Sequence, residues 1–431
     1  MKNMILTMGL ITCLSVAGCN KDQADSVPDG EKLSNEVILE WNEIAYTAYG
    51  GETYQHSLMA SRLNAMVHIA MHDALNAIHP RYATYAFNGK DSGADPITAA
   101  ASAAYEVLVH EIPDQKAYLD SALYQSLAAI PEGEPKSKGM QLGKEAGLAI
   151  ISNRADDGCE GDPIMPVTGP NMPGVYQAVP PFDFVFAPFW TDVKPFGLQK
   201  NDQFRSKQPP SLDSDEYAED FNEVKGTGRM GSELRSEEQT SFARFWYEFS
   251  EAGWNRVARI VAKDKDLDLL ETARLFALVD MAMADAYIAG WDSKFYYNLW
   301  RPYTAIRFAN QDGNPYTEED LTWEPEMPTP PVQDYPSTHS ALGNAAATVI
   351  SNILGDQTPF TMSSPTASPS NGTRSFSGLM QAANENAESR VQAGIHFRFA
   401  CEAGQEMGDK IGLWMTDNYL KPLNNEQIVK N

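Results

Sequence analysis

The sequence predicts an all-α protein built of helical bundles, and three observations predict it. Apolar residues recur at helical spacing through most of the chain after Val37, as in Leu58, Leu63, Met66, Ile69 and Ala70. Prolines punctuate these periodic stretches, where a helix must stop or restart. No stretch shows a convincing alternation of apolar and polar residues, so no strand is expected. With 431 residues, 43% hydrophobic and 21% charged, the chain is globular and long enough to bury a large core.

Lys2 precedes an apolar stretch, 4–16, that is too short to span a bilayer. That stretch ends in Val16-Ala17-Gly18-Cys19, small residues before a cysteine. The pattern resembles a bacterial lipoprotein signal, in which the cysteine is lipidated. Residues 1–19 are therefore read as a signal, and 20–36 as an acidic tether. The expectation is a body on the bacterial envelope, held by a lipid on Cys19 on the periplasmic side or the cell surface. Residues 37–155 form an N-terminal helical region, with helices expected over 37–49, 56–77, 96–112, 113–130 and 136–153. Residues 156–213 are dense in proline and aromatic side chains, among them Pro180, Pro181, Phe182, Phe184, Phe186, Phe189 and Trp190. Such a segment cannot be a regular helix, yet it is too aromatic for disorder. It is expected to be an ordered excursion over the surface that shapes a pocket mouth. Residues 214–431 form a second helical region, with helices expected from 215 to 263, then over 267–297, 300–307, 341–350, 375–392 and 399–419. Loops are expected over 311–333 and 357–373.

The net charge of −25 argues against nucleic acid and against an anionic membrane surface as electrostatic partners. The cysteines are Cys13, Cys19, Cys159 and Cys401; two fall in the signal, so there is no disulfide framework, and nothing requires Cys159 and Cys401 to pair. His68 and His72 lie four apart on one helix, a spacing that suits metal, but no third ligand accompanies them and His68 fits a core position.

Chemistry concentrates in the second half. Tyr335-Pro336-Ser337-Thr338-His339-Ser340 precedes a small, apolar, helix-forming run, 341–350. Proline cannot enter a helix interior and serine is a good N-cap, so Ser337, Thr338 and His339 should lie at a helix N-terminus. Free backbone N–H groups and a positive dipole end suit an oxyanion there. Upstream, Lys294 is followed after six residues by Arg301-Pro302. Downstream, Ser389-Arg390 is followed after five residues by His396. Fixed cations, histidines and a helix terminus together describe a site for a tetrahedral oxyanion with acid–base chemistry. Taken singly, each residue has a plain reading: Lys294 and Arg301 as surface ions, His339 as a cap, His396 as a core residue. Asp292 is a potential partner for a site cation or an ordinary helix-surface carboxylate; Arg307 and Arg398 read as structural.

These spaced motifs, in this order, resemble the signature shared by vanadium-dependent haloperoxidases and type-2 phosphatidic acid phosphatases. The longer stretches 291–302 and 393–399 resemble the haloperoxidase branch. The resemblance runs from about Val37 to the end and implies helical bundles with the cofactor pocket at one bundle's end. It implies that Lys294, Arg301 and Arg390 neutralise vanadate oxygens, while Ser337 and the backbone N–H of Thr338 donate hydrogen bonds. His396 would coordinate vanadium, and His339 would act as acid–base towards hydrogen peroxide, with iodide or bromide as the halide oxidised. The same residues would serve an acid phosphatase working through a phospho-histidine on a phosphate ester. They would also serve an anion-binding lipoprotein with little turnover. Two positions depart from the pattern. Thr338 stands where many members have glycine, and Ala400 where several have an aspartate that accepts from the coordinating histidine.

Overall fold

The computed structural model describes residues 32–424. The expected signal, including Cys19, and most of the expected tether lie outside the described residues. No described helix is long and apolar enough to cross a membrane.

The first half holds α1 (Glu36–Tyr49), α2 (Ser57–Ile78), α3 (Pro96–Glu111), α4 (Lys116–Ser126) and α5 (Glu134–Arg154). Local chemistry sets several ends. Asp95 caps α3 by accepting from the Thr98 N–H at 2.7 Å, and Pro96 occupies the first turn, where a missing N–H costs nothing. The segment expected as one helix over 113–130 opens instead with a 3-10 turn, Pro113–Gln115, before α4.

The proline- and aromatic-rich stretch is ordered, as its composition demands. It contains a short antiparallel hairpin, β1 (Ile164–Pro166) with β2 (Phe184–Phe186), in which Ile164 faces Phe186. The Phe186 N–H donates to the Pro331 carbonyl at 2.8 Å, and the Trp291 indole donates to the Phe186 carbonyl at 3.3 Å. The excursion is thereby pinned to the loop that leads into the Ser337 motif.

The second half holds α6 (Asp215–Thr227), α7 (Glu237–Phe245), α8 (Ser250–Asp264), α9 (Leu269–Tyr297), α10 (Pro302–Arg307) and α11 (Thr338–Leu354), then a second hairpin of β3 (Phe360–Ser363) and β4 (Thr373–Phe376), and finally α12 (Leu379–Gln392) and α13 (Arg398–Asn418). The hairpins are local exceptions to the strand-free expectation and leave the architecture all-α. The second one delays α12, expected from 375. Phe360 and Phe376 pack ring to ring at 5.2 Å and Phe376 lies 5.8 Å from Trp246, so burial holds these residues extended.

Two bundles result. In one, α2 packs on α3 and α5; in the other, α11 packs on α9, α12 and α13; α2 against α9 joins them. In both, a glycine stripe lets two helix backbones meet. A Cβ on Gly143 of α5 would lie 2.3 Å from the Ala99 carbonyl of α3, and one on Gly408 of α13 would lie 2.2 Å from the Ala341 carbonyl of α11.

Candidate active site

The N-terminus of α11 is the centre of the site. Ser337 is its N-cap, and its hydroxyl accepts from the Ser340 N–H at 3.3 Å and the Ser340 hydroxyl at 3.0 Å. The Ser337 N–H donates to the Ala400 carbonyl at 2.8 Å, which ties this turn to α13. Thr338 and His339 follow as the first helical residues, whose N–H groups have no intrahelical acceptor. The Thr338 side chain turns towards α9. A Cβ on Gly290 would lie 2.2 Å from the Thr338 methyl, so Gly290 forms the notch that receives it.

Around this turn the fold buries three cations. Lys294, in the last turn of α9, donates to the carbonyls of Gln333 at 2.6 Å and Asp334 at 2.9 Å. Arg301, the residue before α10, donates through Nε to the Val332 carbonyl at 2.7 Å and through one terminal nitrogen to the Ile395 carbonyl at 2.6 Å. That nitrogen also lies 2.9 Å from Nε2 of His396. Arg390, near the end of α12, donates to the Trp246 carbonyl at 3.3 Å, while its Nε is buried without a partner. Gly394, at φ 79°, turns the chain sharply after α12 and carries His396 back into the cluster.

Each group bears the mark of crowded positive charge out of water. Burial, and then Arg301, hold Lys294 well below the usual lysine range. Burial brings Arg390 down to about 10. His396 is held well below its ordinary value by burial and then by Arg301 and Lys294, and His339 by burial and then Arg390, so both imidazoles are neutral. Nε2 of His339 lies 2.7 Å from the Trp246 carbonyl. A carbonyl only accepts, so Nε2 carries the hydrogen and Nδ1 keeps the lone pair. Trp246 thus links His339 to Arg390, just as Arg301 links to His396.

The sequence reading missed Asp334. Its carboxylate is fully buried, 2.9 Å from Nδ1 of His396 and 3.7 Å from Arg301. Burial pushes its carboxyl up to about 7, against the pull of Arg301 and Lys294. The signal was present: an acidic residue three before Ser337, in a loop that must pass the site. Ala400, where several family members carry an aspartate, is buried and contributes only its carbonyl.

The structure therefore brings Lys294, Arg301, Ser337, Thr338, His339, Arg390 and His396 to one place. Asp292 stays outside and forms a two-pronged pair with Arg205 at 2.7 and 2.8 Å. Arg398 pairs with Glu223 and Glu388, and Arg307 with Glu324. His68 packs in the core with Nδ1 2.6 Å from Asp280, while His72 faces Asp73 at 3.0 Å, so the two imidazoles serve different partners. Cys159 and Cys401 are both free thiols. The donor set would fit a tetrahedral oxyanion that can also take a nitrogen ligand. It offers three cations against one carboxylate, a helix N-terminus, an unused buried guanidinium N–H and an imidazole nitrogen with a lone pair.

Comparison with known proteins converges on one family. Residues 274–425 match the family model for the VCPO second helical-bundle domain. The chain is 26% identical over 490 aligned residues to the vanadium chloroperoxidase of Curvularia inaequalis, covering 86% of this chain and 79% of that protein. Among solved structures it resembles the first bacterial vanadium-dependent iodoperoxidase, at TM-score 0.78 and 27% identity, over 92% of this chain and 99% of that one. It shares the fold of a holo-type bacterial vanadium-dependent chloroperoxidase at TM-score 0.71 and 16% identity, over 91% and 98% of the two chains.

Proposed function

The chain belongs to the vanadium-dependent haloperoxidase family, and from that premise we propose that it oxidises iodide or bromide with hydrogen peroxide. The observation that carries this reading is the buried cluster of Lys294, Arg301 and Arg390 with His396, whose Nε2 faces Arg301 at 2.9 Å, which suits an oxyanion and a metal–nitrogen bond at once. Vanadate, held there, supplies a Lewis acid that activates peroxide towards halide. Lys294, Arg301 and Arg390 disperse its negative charge, and Ser337 with the Thr338 N–H donates to its oxygens. His396 presents Nε2 as the ligand nitrogen once Arg301 gives way. His339, with Nδ1 free as a base, accepts a proton from incoming peroxide and returns it to the leaving oxygen. Similarity to the iodoperoxidase supports the softer halides. Anchoring through Cys19 belongs to the same reading and rests on Val16-Ala17-Gly18-Cys19. Mass spectrometry of the membrane-extracted N-terminus tests it, and an unlipidated cysteine would refute it.

The test is oxidation of iodide, bromide and chloride with hydrogen peroxide, with and without orthovanadate, beside hydrolysis of an aryl phosphate. Iodide or bromide oxidation that needs vanadate and is competed by phosphate is expected. Phosphate release inhibited by vanadate, without halide oxidation, would make the protein a phosphatase. His396→Ala should reduce peroxidase turnover to background. His339→Ala should retain vanadate and lose roughly 10²- to 10⁴-fold in rate, the usual worth of a general base.

A further inference from the structure

We propose that Asp334 is the positioning residue of the site, holding His396 in the tautomer whose Nε2 is free to bind metal. The inference rests on the vanadate reading above and on contacts in this chain. Arg301 has only donors, and one of them lies 2.9 Å from Nε2 of His396. Nε2 must therefore be an acceptor. The neutral ring then carries its hydrogen on Nδ1, and Nδ1 faces the Asp334 carboxylate at 2.9 Å. The contact is short but falls outside hydrogen-bond geometry, and neither Nδ1 of His396 nor either carboxylate oxygen of Asp334 has another side-chain hydrogen bond, so these atoms are each other's available partner.

Asp334 is itself fixed from both sides. Its carbonyl accepts from Lys294 at 2.9 Å, and its N–H donates to the Leu299 carbonyl at 3.0 Å. The backbone that aims the carboxylate is thus held by a cation of the same site. Position 400, where the family pattern expects an aspartate, is a buried alanine, and its carbonyl is already committed to Ser337. The carboxylate that orients the ligand histidine comes instead from the loop before the Ser337 motif. By accepting the Nδ1 hydrogen it makes Nε2 a stronger ligand through the ring. It also competes with a bound oxyanion for Arg301. These effects oppose each other for vanadate, whereas for phosphate, which binds by charge and hydrogen bonds alone, only the second operates.

That difference defines the experiment. Orthovanadate and inorganic phosphate are titrated separately by calorimetry into the purified wild-type protein, Asp334→Asn and Asp334→Ala. Loss of a partner to a metal-bound histidine costs roughly ten- to a hundredfold in metal affinity. Asp334→Ala should weaken vanadate by that factor while phosphate binding is unchanged or tighter. Asp334→Asn should lose less, because its amide oxygen still accepts from Nδ1–H. Equal weakening of both anions would show a merely structural role and overturn the proposal, as would undiminished vanadate affinity. If the alanine variant fails to fold, the near-isosteric asparagine and the wild-type protein still decide. Nitrogen NMR of histidine-labelled, vanadate-free protein should show His396 protonated at Nδ1, and protonation at Nε2 would overturn the assignment. A wild-type protein that binds vanadate no more tightly than phosphate would sink the haloperoxidase reading, while the tautomer measurement would still judge Asp334.

Discussion

The two bundles share a frame and differ at one end. In the first, the Asp95 N–H donates to the Pro135 carbonyl at 2.9 Å; in the second, the Ser337 N–H donates to the Ala400 carbonyl at 2.8 Å. Four residues beyond each carbonyl stands a glycine, Gly139 or Gly404, on which a Cβ would lie 2.7 Å from the Asp95 carbonyl or 2.2 Å from that of Ser337. The match continues one turn at a time, with Gly143 over Ala99 as Gly408 is over Ala341. What differs is the cap. Asp95 fills the positive end of α3 with its own carboxylate, whereas Ser337 caps α11 with a neutral hydroxyl. Buried charge follows suit. In the first bundle Arg62 is matched by Asp157 and Glu111, at 2.8 and 2.7 Å, and Arg154 by the same Asp157 at 2.8 Å. In the second, Lys294, Arg301 and Arg390 are all buried, and the carboxylate of Asp334 lies 3.7 Å from Arg301 and acts on Lys294, with none beside Arg390. A buried charge matched in place serves the fold; cations left in excess serve a ligand.

Exchanging the caps should break the comparison most sharply. Ser337→Asp would place the first bundle's carboxylate among the second bundle's cations. Aspartate and serine are comparable N-caps, so the helix survives, and the melting temperature should hold or rise. Phosphate and vanadate affinity should fall roughly a hundredfold or more, since an anion in the turn forfeits charge-assisted bonds worth about 1.5–3 kcal/mol each. Calorimetric titration checks it, and retained affinity would show that the turn does not face the oxyanion. Asp95→Ser should create no anion site, because no buried cations surround α3's first turn in the way they surround that of α11.

The stripes allow a matched pair of equal-cost changes. Gly143→Ala and Gly408→Ala each drive a methyl against a helix carbonyl. Each should cost about 1–3 kcal/mol of stability by overpacking. Only Gly408→Ala, which pushes on α11, should also weaken phosphate binding. Equal effects on binding would mean that the bundles are coupled more tightly than their separate ends suggest.

Glu251 supplies the opposite imbalance, a buried carboxyl without a cation. It accepts from the phenols of Tyr54 at 2.5 Å and Tyr287 at 2.9 Å, and burial raises its pKa from 4.5 to about 7. The folded state therefore binds this proton more tightly than the unfolded state. The contribution to stability is complete below about pH 4.5 and is lost as pH rises through 7. Glu251→Gln should remove this fall, on the order of 3 kcal/mol, from denaturation curves recorded across that window. A slope unchanged by the substitution would show that other groups set it.

Much of this was legible in the residues. Helical periodicity marks the bundles, and the order of Lys294, Arg301, Ser337, His339, Arg390 and His396 marks the site, because each lies at a helix end whose signals are local. The hairpins were not legible, since four-residue strands such as Thr373–Phe376 are held by ring packing on distant Trp246 rather than by alternation. Asp334 was hidden for a related reason. A loop residue's partner is chosen by the return of the chain after Gly394, 60 residues on, and no spacing rule reports that.

The smallest expected effect concerns Thr338, where a glycine would bring the turn closer to the family pattern. A side chain here threatens to crowd the oxyanion, yet the fold has moved the obstruction elsewhere, into the notch at Gly290. Thr338→Gly should therefore change turnover by no more than about twofold, while costing on the order of 1 kcal/mol of stability through lost packing and added backbone freedom. Gly290→Ala should cost about 1–3 kcal/mol, because its methyl meets that of Thr338. Combining the two should recover most of the second loss, since removing the threonine methyl empties the space the alanine needs. A double-mutant cycle with no recovery would show that Gly290 is required for another approach, and a large loss of turnover in Thr338→Gly alone would show that the threonine itself helps to bind the oxyanion.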